Sequence, residues 1–346
     1  MKRQRAKFLG LFLSLVLAMV TLTGCGTGTQ DTEEETQIQT TQEAVQADNR
    51  VVRVGALKGP TTLGLLFLED KASKGETNYS YEFQMKTAAD ELLPMIIKGE
   101  LDIALLPANV AGILYQKTNG TISVIDINTL GVLYMVSGDK TITTPADLNG
   151  KTIYVTGKGT TPDYVLQYIL KANGLTTQNC NIEYKSEATE IVTLLSEDAS
   201  AIGLLPQPFV TVACEQNDAL EIVMDMNAEW GKTDAGKNSM VTGVTVVRNE
   251  FLEQNEDLVA DFLAEHEKSA QEINADVEKG AALAAEAGII AKEAVAQKAI
   301  PACNITCITG EQMKEALSAY LEILYGQNPE SVGGNLPEDT FYYMGE

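Results

Sequence analysis

The sequence predicts an α/β protein made of two similar lobes that face each other across a cleft. The main observation is an internal repeat, in which Lys58-Gly-Pro-Thr-Thr62 and Lys158-Gly-Thr-Thr161 each follow an apolar run and open a helical pattern. Both copies later end on the same Leu-Leu-Pro, at Pro107 and Pro206. A repeated order of strand, loop and helix favours sheets covered by helices. Chance similarity between two such segments is the alternative, and the nearly constant spacing of the copies argues against it.

The first copy is predicted to alternate strands with helices. Strands are expected at 51–57, 79–87, 101–106 and 121–130, and helices at 61–68, 90–98 and 109–117. In the second helix, apolar residues lie three and four apart and Gly99 follows, which is the pattern of an amphipathic helix and its end.

The chain is predicted to cross between the lobes twice. The apolar run 131–137 leads into the second lobe, a helical turn at 145–150 precedes the strand 151–156, and the alternating strand 240–247 returns to the first lobe. Lobe 1 is therefore expected to comprise 51–132 plus 241–346, and lobe 2 to comprise 133–240. Ala-rich helices at 249–277, 280–287, 291–299 and 310–325 are expected to pack on the outside, with His266 solvated between two glutamates.

The N-terminus is predicted to be an export signal followed by a tether. Residues 1–24 combine a basic start with a short apolar stretch. Leu22-Thr-Gly-Cys25 resembles a bacterial lipobox, which implies that Cys25 receives a diacylglycerol thioether and anchors the chain in the membrane. A soluble secreted protein is the alternative, and the apolar stretch is short for a transmembrane anchor. Residues 25–50 are polar and acidic and are expected to be disordered.

Composition excludes several classes of partner. The formal net charge of −23 disfavours nucleic acid and an anionic membrane surface as partners. The cysteines beyond Cys25 are Cys180, Cys214, Cys303 and Cys307, and a disulfide between the last two stays open. Because the chain has one histidine, we expect no metal site. We also expect that the protein binds no cofactor and is a monomer.

Several motifs together resemble a known family. They are Val52-Arg-Val-Gly-Ala, Lys98-Gly-Glu-Leu-Asp-Ile-Ala, Pro145-Ala-Asp-Leu-Asn-Gly-Lys-Thr-Ile-Tyr-Val and Gly174-Leu175. Over about residues 51–325 the chain is similar to the solute-binding proteins of nitrate/sulfonate/taurine-type ABC transporters, which include carriers of thiamine and pyrimidine precursors. The resemblance implies a class II periplasmic-binding-protein fold on the extracytoplasmic side of the membrane. It also implies a small-molecule ligand and, as partners, an ABC permease and ATPase.

The resemblance implies that the ligand contacts the loops at the carboxyl ends of the strands. This agrees with the general rule for open α/β sheets. Thr residues at helix starts bring N–H groups and hydroxyls that suit a polar group, although simple N-caps are the alternative. Glu187 and Asp163 favour an amine-bearing ligand, and Tyr164, Phe209 and Trp230 offer flat faces for a ring. The candidate ligand-binding residues are Lys58, Thr61, Thr62, Asn109, Asn128, Thr129, Lys158, Gly159, Thr160, Thr161, Tyr164, Glu187, Gln207, Phe209 and Trp230.

Two other functions compete with solute binding. Enzymes of pyrimidine-precursor synthesis and of chorismate dehydration share this fold, but the pyrimidine-forming enzyme relies on histidines and this chain has only His266. No Ser/His/Asp, Cys/His or metal cluster is visible in the sequence. A surface adhesin or sensor built on the same scaffold is the third class. Export with a lipid anchor favours binding over biosynthesis.

Overall fold

The computed structural model of the chain describes residues 50–233 and 239–345. The predicted signal peptide, Cys25 and nearly all of the predicted tether lie outside these described residues. Within the two ranges, no helix has both the length and the apolar content that crossing a bilayer requires.

Lobe 1 is built around a mixed six-stranded sheet in the order β11-β4-β10-β3-β1-β2. β1 pairs in parallel with β2 and β3, whereas β10 runs antiparallel to β3 and β4. The strands are β1 (Val51–Leu57), β2 (Ser80–Lys86), β3 (Ile103–Pro107), β4 (Ile122–Leu130), β10 (Val241–Arg248) and β11 (Ile305–Ile308).

Lobe 2 is built around a five-stranded sheet in the order β7-β6-β8-β5-β9. Its strands are β5 (Leu133–Ser137), β6 (Thr152–Thr156), β7 (Asn181–Lys185), β8 (Ile202–Pro206) and β9 (Glu221–Asp225). β6 pairs in parallel with β7 and β8, and β5 runs antiparallel to β8. The two sheets therefore share one pattern, in which the antiparallel fourth strand comes from a segment that crosses between lobes. The predicted two-lobed α/β fold is confirmed.

Helices cover both sheets. In lobe 1 the chain forms α1 (Leu66–Ser73), α2 (Ala89–Ile97), α3 (Ala108–Lys117), α8 (Asn249–Gln254), α9 (Glu256–Ala275), α10 (Val277–Glu286), α11 (Glu293–Ala299) and α12 (Gly310–Gln327). In lobe 2 it forms α4 (Thr161–Ala172), α5 (Ala188–Glu197), α6 (Phe209–Gln216) and α7 (Met226–Gly231). Gly99, at φ +72°, ends α2 as predicted. The helix predicted over 249–277 is instead divided, at Asn255 and again at Asp276, which caps α10 by accepting the Lys279 N–H.

The prediction of a solvated His266 is wrong. The side chain is fully buried, and its Nδ1 lies 3.1 Å from Oδ2 of the equally buried Asp126. The physical reason is helical spacing, since Phe262, His266 and Ser269 lie on the one face of α9 that is buried, and the flanking glutamates point elsewhere.

The disulfide left open by the sequence is absent, because Cys303 and Cys307, both within the described ranges, are free thiols. Cys303 is buried and its Sγ donates to the Ala299 carbonyl at 3.2 Å. Burial raises the pKa of Cys303 to about 12, so the thiol stays protonated at neutral pH.

Candidate ligand-binding cleft

The two crossing segments bring the carboxyl ends of both sheets together. β4 ends at Leu130, and only a short link separates it from Leu133, which pairs with Pro206 at the end of β8. On the return crossing, Gly243 pairs with Pro107 at the end of β3. The last residues of β3, β4 and β8 therefore lie close to the crossings, and the loops that follow these strands share one edge. In open α/β sheets this edge is where ligands bind.

The first repeat loop of lobe 1 forms a 3₁₀ turn over Pro60–Leu65 rather than the start of an α-helix. The Thr62 side chain is 1% exposed and its hydroxyl donates to the Leu57 carbonyl, while its N–H bonds to the Gly59 carbonyl. Thr62 therefore stabilises the loop itself. The neighbouring Thr61 hydroxyl has no hydrogen-bond partner among the described residues, so it is the member of the pair that is available to a ligand.

The matching loop of lobe 2 is organised by Asp163. This buried carboxylate accepts hydrogen bonds from the Gly159 N–H at 2.8 Å, the Gln167 amide at 2.7 Å and the Tyr184 hydroxyl at 2.9 Å. Three internal donors occupy it, so the expectation that Asp163 favours an amine-bearing ligand is wrong. The Gly159 N–H, predicted to face ligand, is engaged by the same carboxylate.

Each lobe places one lysine at the shared edge. Lys58 and Lys158 are both exposed, and neither forms an ion pair with any residue in the described part of the chain. The Lys158 ammonium lies 5.8 Å from the centroid of the Tyr184 ring, and beside it the Thr160 hydroxyl donates to the Gly157 carbonyl at 2.6 Å. Both ammonium groups are available to an anionic group entering from solvent.

One predicted residue of α4, Tyr164, contacts the C-terminal part of lobe 1. The Tyr164 hydroxyl accepts a hydrogen bond from Asn328, which follows α12, at 2.8 Å. Thr161 is the first residue of α4, and no hydrogen bond joins it to the buried Tyr320 hydroxyl of α12, whose pKa is raised by burial. Tyr164 therefore joins the lobes in this conformation.

Trp230, a predicted ligand contact, packs between two tyrosines. Its ring centroid lies 4.5 Å from that of Tyr168 in lobe 2 and 5.5 Å from that of Tyr320 in lobe 1. Only 1% of Trp230 is exposed. A ligand would reach this indole only after its neighbours move, and the geometry makes it a packing residue between lobes.

Buried polar side chains line the crossings themselves. Asn128 and Thr129 lie near the end of β4, and Gln207 follows β8; the side-chain oxygen of Gln207 accepts a hydrogen bond from the Thr211 hydroxyl at 2.9 Å. The Asn128 amide donates to Thr245 at 3.2 Å. Among the described residues, nothing bonds to the carbonyl oxygen of Asn128 or to the hydroxyl of Thr129, and burial of such atoms is costly.

The remaining candidates each follow the end of a strand. Asn109 is half-buried and its amide is 3.4 Å from the Ser331 carbonyl, while Glu187 is exposed at the start of α5. Phe209 lines an apolar groove of about 470 Å³ that runs between α6 and the segment joining α10 to α11, where Ile289 and Ile290 form the opposite wall.

One buried cluster offers donors to a metal ion. Potential ligand atoms of Asp126, His266 and Cys307 lie within 4.8 Å of one another. The carboxylate of Asp126 already accepts from Thr245 and His266. Burial, reinforced by the nearby Asp126 charge, raises the pKa of Cys307, which holds it as a thiol. Within this buried cluster Asp126 and His266 bond to each other, while His266 Nε2 has no hydrogen-bond partner among the described residues.

Sequence reasoning missed the residues behind the cleft. Asp126, Thr245 and His266 support Asn128 from inside the sheet, and Asn328 reaches Tyr164 from the C-terminal segment. Asp126 had a detectable signal, because a carboxylate in the middle of the apolar run of β4 must find internal partners.

Comparisons with known proteins agree with this architecture. A structure described as an ABC transporter from Parabacteroides distasonis has a TM-score of 0.71 and 26% identity, over 86% of this chain and 99% of that one. The periplasmic aliphatic sulphonate binding protein SsuA from Escherichia coli has a TM-score of 0.67 and 15% identity, over 83% and 91%. The alkanesulfonate-binding protein SsuA from Xanthomonas axonopodis pv. citri, bound to MOPS, has a TM-score of 0.59 and 15% identity, over 83% and 94%.

A search of curated proteins finds no significant match. The model of one protein family, described as NMT1/THI5 like, matches residues 88–279. That match begins beside α2, covers the whole of lobe 2 and both crossings, and ends in α10. Because it spans more than half of the sequence, the chain belongs to the NMT1/THI5-like family.

Proposed function

We propose that this protein captures a small organic solute outside the cytoplasm and delivers it to an ABC importer by closing its two lobes. The observation that carries the proposal is the meeting of both carboxyl edges at a double crossing, with one unpaired lysine from each lobe beside it. The solved relatives described as an ABC transporter and as sulfonate-binding proteins support the same function. A permease and an ATPase are then the expected partners.

Closure around a solute is the test of this function. A chain of residues 50–346 would be screened by thermal shift against vitamins, precursors, amines and sulfonates, and each hit would be measured by small-angle scattering. We expect a bound solute to lower the radius of gyration, because the lobes rotate about the crossings. Identical scattering curves with and without a tightly bound hit would contradict the proposal.

Lipid anchoring at Cys25 belongs to the same proposal. The Leu22-Thr-Gly-Cys25 motif supports it, and a tethered binding protein stays beside its membrane partners. In Cys25→Ser, we expect an uncleaved precursor or release from the membrane fraction, detected by immunoblotting of fractionated cells. Cys180→Ser is the matched control. Normal processing and membrane retention of Cys25→Ser would refute the anchor.

We also propose that the chain is not an enzyme. Its histidine is fully buried and its Nδ1 bonds to Asp126, so it does not suit proton transfer to a bound substrate. We therefore expect a hit from the screen to be recovered chemically unchanged after long incubation, as measured by mass spectrometry. Conversion of the hit into a product would favour the enzymatic alternative.

A further inference from the structure

A chain of buried hydrogen bonds runs from α9 to the edge of the cleft. His266 Nδ1 bonds to one oxygen of Asp126, and the Thr245 hydroxyl bonds to the other at 2.9 Å. Thr245 is in turn 3.2 Å from the amide nitrogen of Asn128. Asp126, Thr245 and His266 are fully buried, and Asn128 is 1% exposed, so water does not compete for these groups.

The chemistry of the donors fixes which way the Asn128 amide faces. A carboxylate only accepts hydrogen bonds, so the single hydroxyl proton of Thr245 must point to Asp126. The Thr245 oxygen then has only lone pairs left and can only accept, which requires the NH₂ side of the Asn128 amide to face it. The Asn128 carbonyl oxygen is consequently held on the opposite side, as an acceptor that cannot rotate away.

That carbonyl oxygen lies at the carboxyl edge of the sheet. A Cβ placed on Gly243 would collide with it and would lie 2.5 Å from Cγ2 of Thr61, so Asn128 and Thr61 meet over Gly243. Gly243 pairs with Pro107, the last residue of β3. The oxygen is buried and has no partner among the residues that the structure describes.

The positions of the two arginines also favour a hydrogen-bond donor on the solute. Asp102 forms ion pairs with both Arg53 and Arg248. Its Oδ1 lies 2.6 Å from a guanidinium nitrogen of Arg53 and 3.0 Å from one of Arg248. Neither guanidinium therefore reaches the cleft loops. A group of the solute that reaches Asn128 would contact its oriented carbonyl oxygen and no guanidinium. This environment suits a hydrogen-bond donor and not a group that can only accept hydrogen bonds.

We propose that Asn128 is a specificity-determining acceptor and that the solute presents an N–H donor to it, with Asp126, Thr245 and His266 acting as positioning residues. This inference rests on the proposed solute-binding function. It identifies the chemical group at one end of the solute as a carboxamide, an amine or a related N–H group.

The test uses two neutral probes of the same shape, benzamide and acetophenone, which differ by NH₂ in place of CH₃. Binding would be measured by calorimetry on residues 50–346. We expect benzamide to bind about tenfold or more tightly than acetophenone, because one oriented hydrogen bond to a buried oxygen separates them. Asn128→Leu should remove this preference, whereas Asn181→Leu, the same change on exposed β7, should keep it.

Variants of Thr245 distinguish positioning of the Asn128 amide from a purely structural role. Thr245→Val releases the amide, so the ratio of the two affinities should fall towards one, whereas Thr245→Ser, which keeps the hydroxyl, should preserve the ratio. A loss of stability alone would weaken both probes equally. Equal affinities in the unmodified chain, or binding of neither probe, would overturn the inference. If the probes bind equally and still reduce the radius of gyration, solute capture stands and only the role of Asn128 fails.

Discussion

At the scale of single residues, the adjacent Thr61 and Thr62 separate ligand contact from loop stability. The Thr62 hydroxyl donates to the Leu57 carbonyl, whereas the Thr61 hydroxyl has no partner in the described chain. We expect Thr62→Val to lower the free energy of unfolding by about 0.5–1.5 kcal/mol and to change affinity little. Thr61→Val should instead weaken solute binding roughly 2- to 10-fold with unfolding unchanged. Urea denaturation and calorimetry on both variants measure the two effects, and the opposite pattern would reject this assignment.

Residue by residue, the sequence predicted where the loops of the candidate site lie better than it predicted the contacts of their side chains. Loops such as 58–62 and 157–161 lie at the edge because strand order alone puts them there. The partners were not predictable, because Asp126 and His266 are 140 positions apart and meet only through tertiary packing. Trp230 shows the same limit, since its position in the sequence does not reveal that Tyr320 covers its ring.

At the scale of elements, the link between α4 and the end of α12 is a contact that closure depends on. It consists of the hydrogen bond from Asn328 to the Tyr164 hydroxyl, which joins lobe 2 to lobe 1. We expect Tyr164→Phe to enlarge the ligand-free radius of gyration and to weaken binding several-fold, since a net hydrogen bond is worth about 1 kcal/mol. Scattering and calorimetry measure both quantities.

Tyr168→Phe is the matched control on the same helix. Its hydroxyl bonds to Thr233 at 3.0 Å, so the lost contact is local to lobe 2. We expect this variant to keep the ligand-free radius of gyration of the unmodified chain. An identical response of the two variants would show that the hydrogen bond to Asn328 has no special part in closure.

Elements with a strong local pattern were predicted well, and those decided by packing were not. The apolar run 51–57 coincides with β1, because a buried central strand needs such a run. β11 was missed because it is a four-residue edge strand whose register against β4 is irregular. The division between α8 and α9 was missed because the apolar pattern continues through Asn255, where the backbone nevertheless leaves the helix at φ −145° and ψ 49°.

At the scale of the whole molecule, the relation between the lobes depends on how tightly the two crossings pack. A Cβ added to Gly131 on the first crossing would collide with the Met240 side chain on the second and would lie 2.7 Å from Cβ of Asn227. The end of Met240 can move, but Cβ of Asn227 is fixed to the backbone of α7. The first crossing would therefore have to shift relative to α7.

We therefore expect Gly131→Ala to lower the free energy of unfolding by about 1–3 kcal/mol, as overpacking does, and to enlarge the ligand-free radius of gyration. Gly326→Ala on α12 is the control, because its Cβ would meet nothing within 4 Å and alanine favours the helix by about 1 kcal/mol. Urea denaturation and scattering measure the two quantities. If Gly131→Ala unfolds at the same urea concentration as the unmodified chain, the crossings can accommodate the added methyl group without loss of stability. In that case the packing at Gly131 does not determine how the lobes are held.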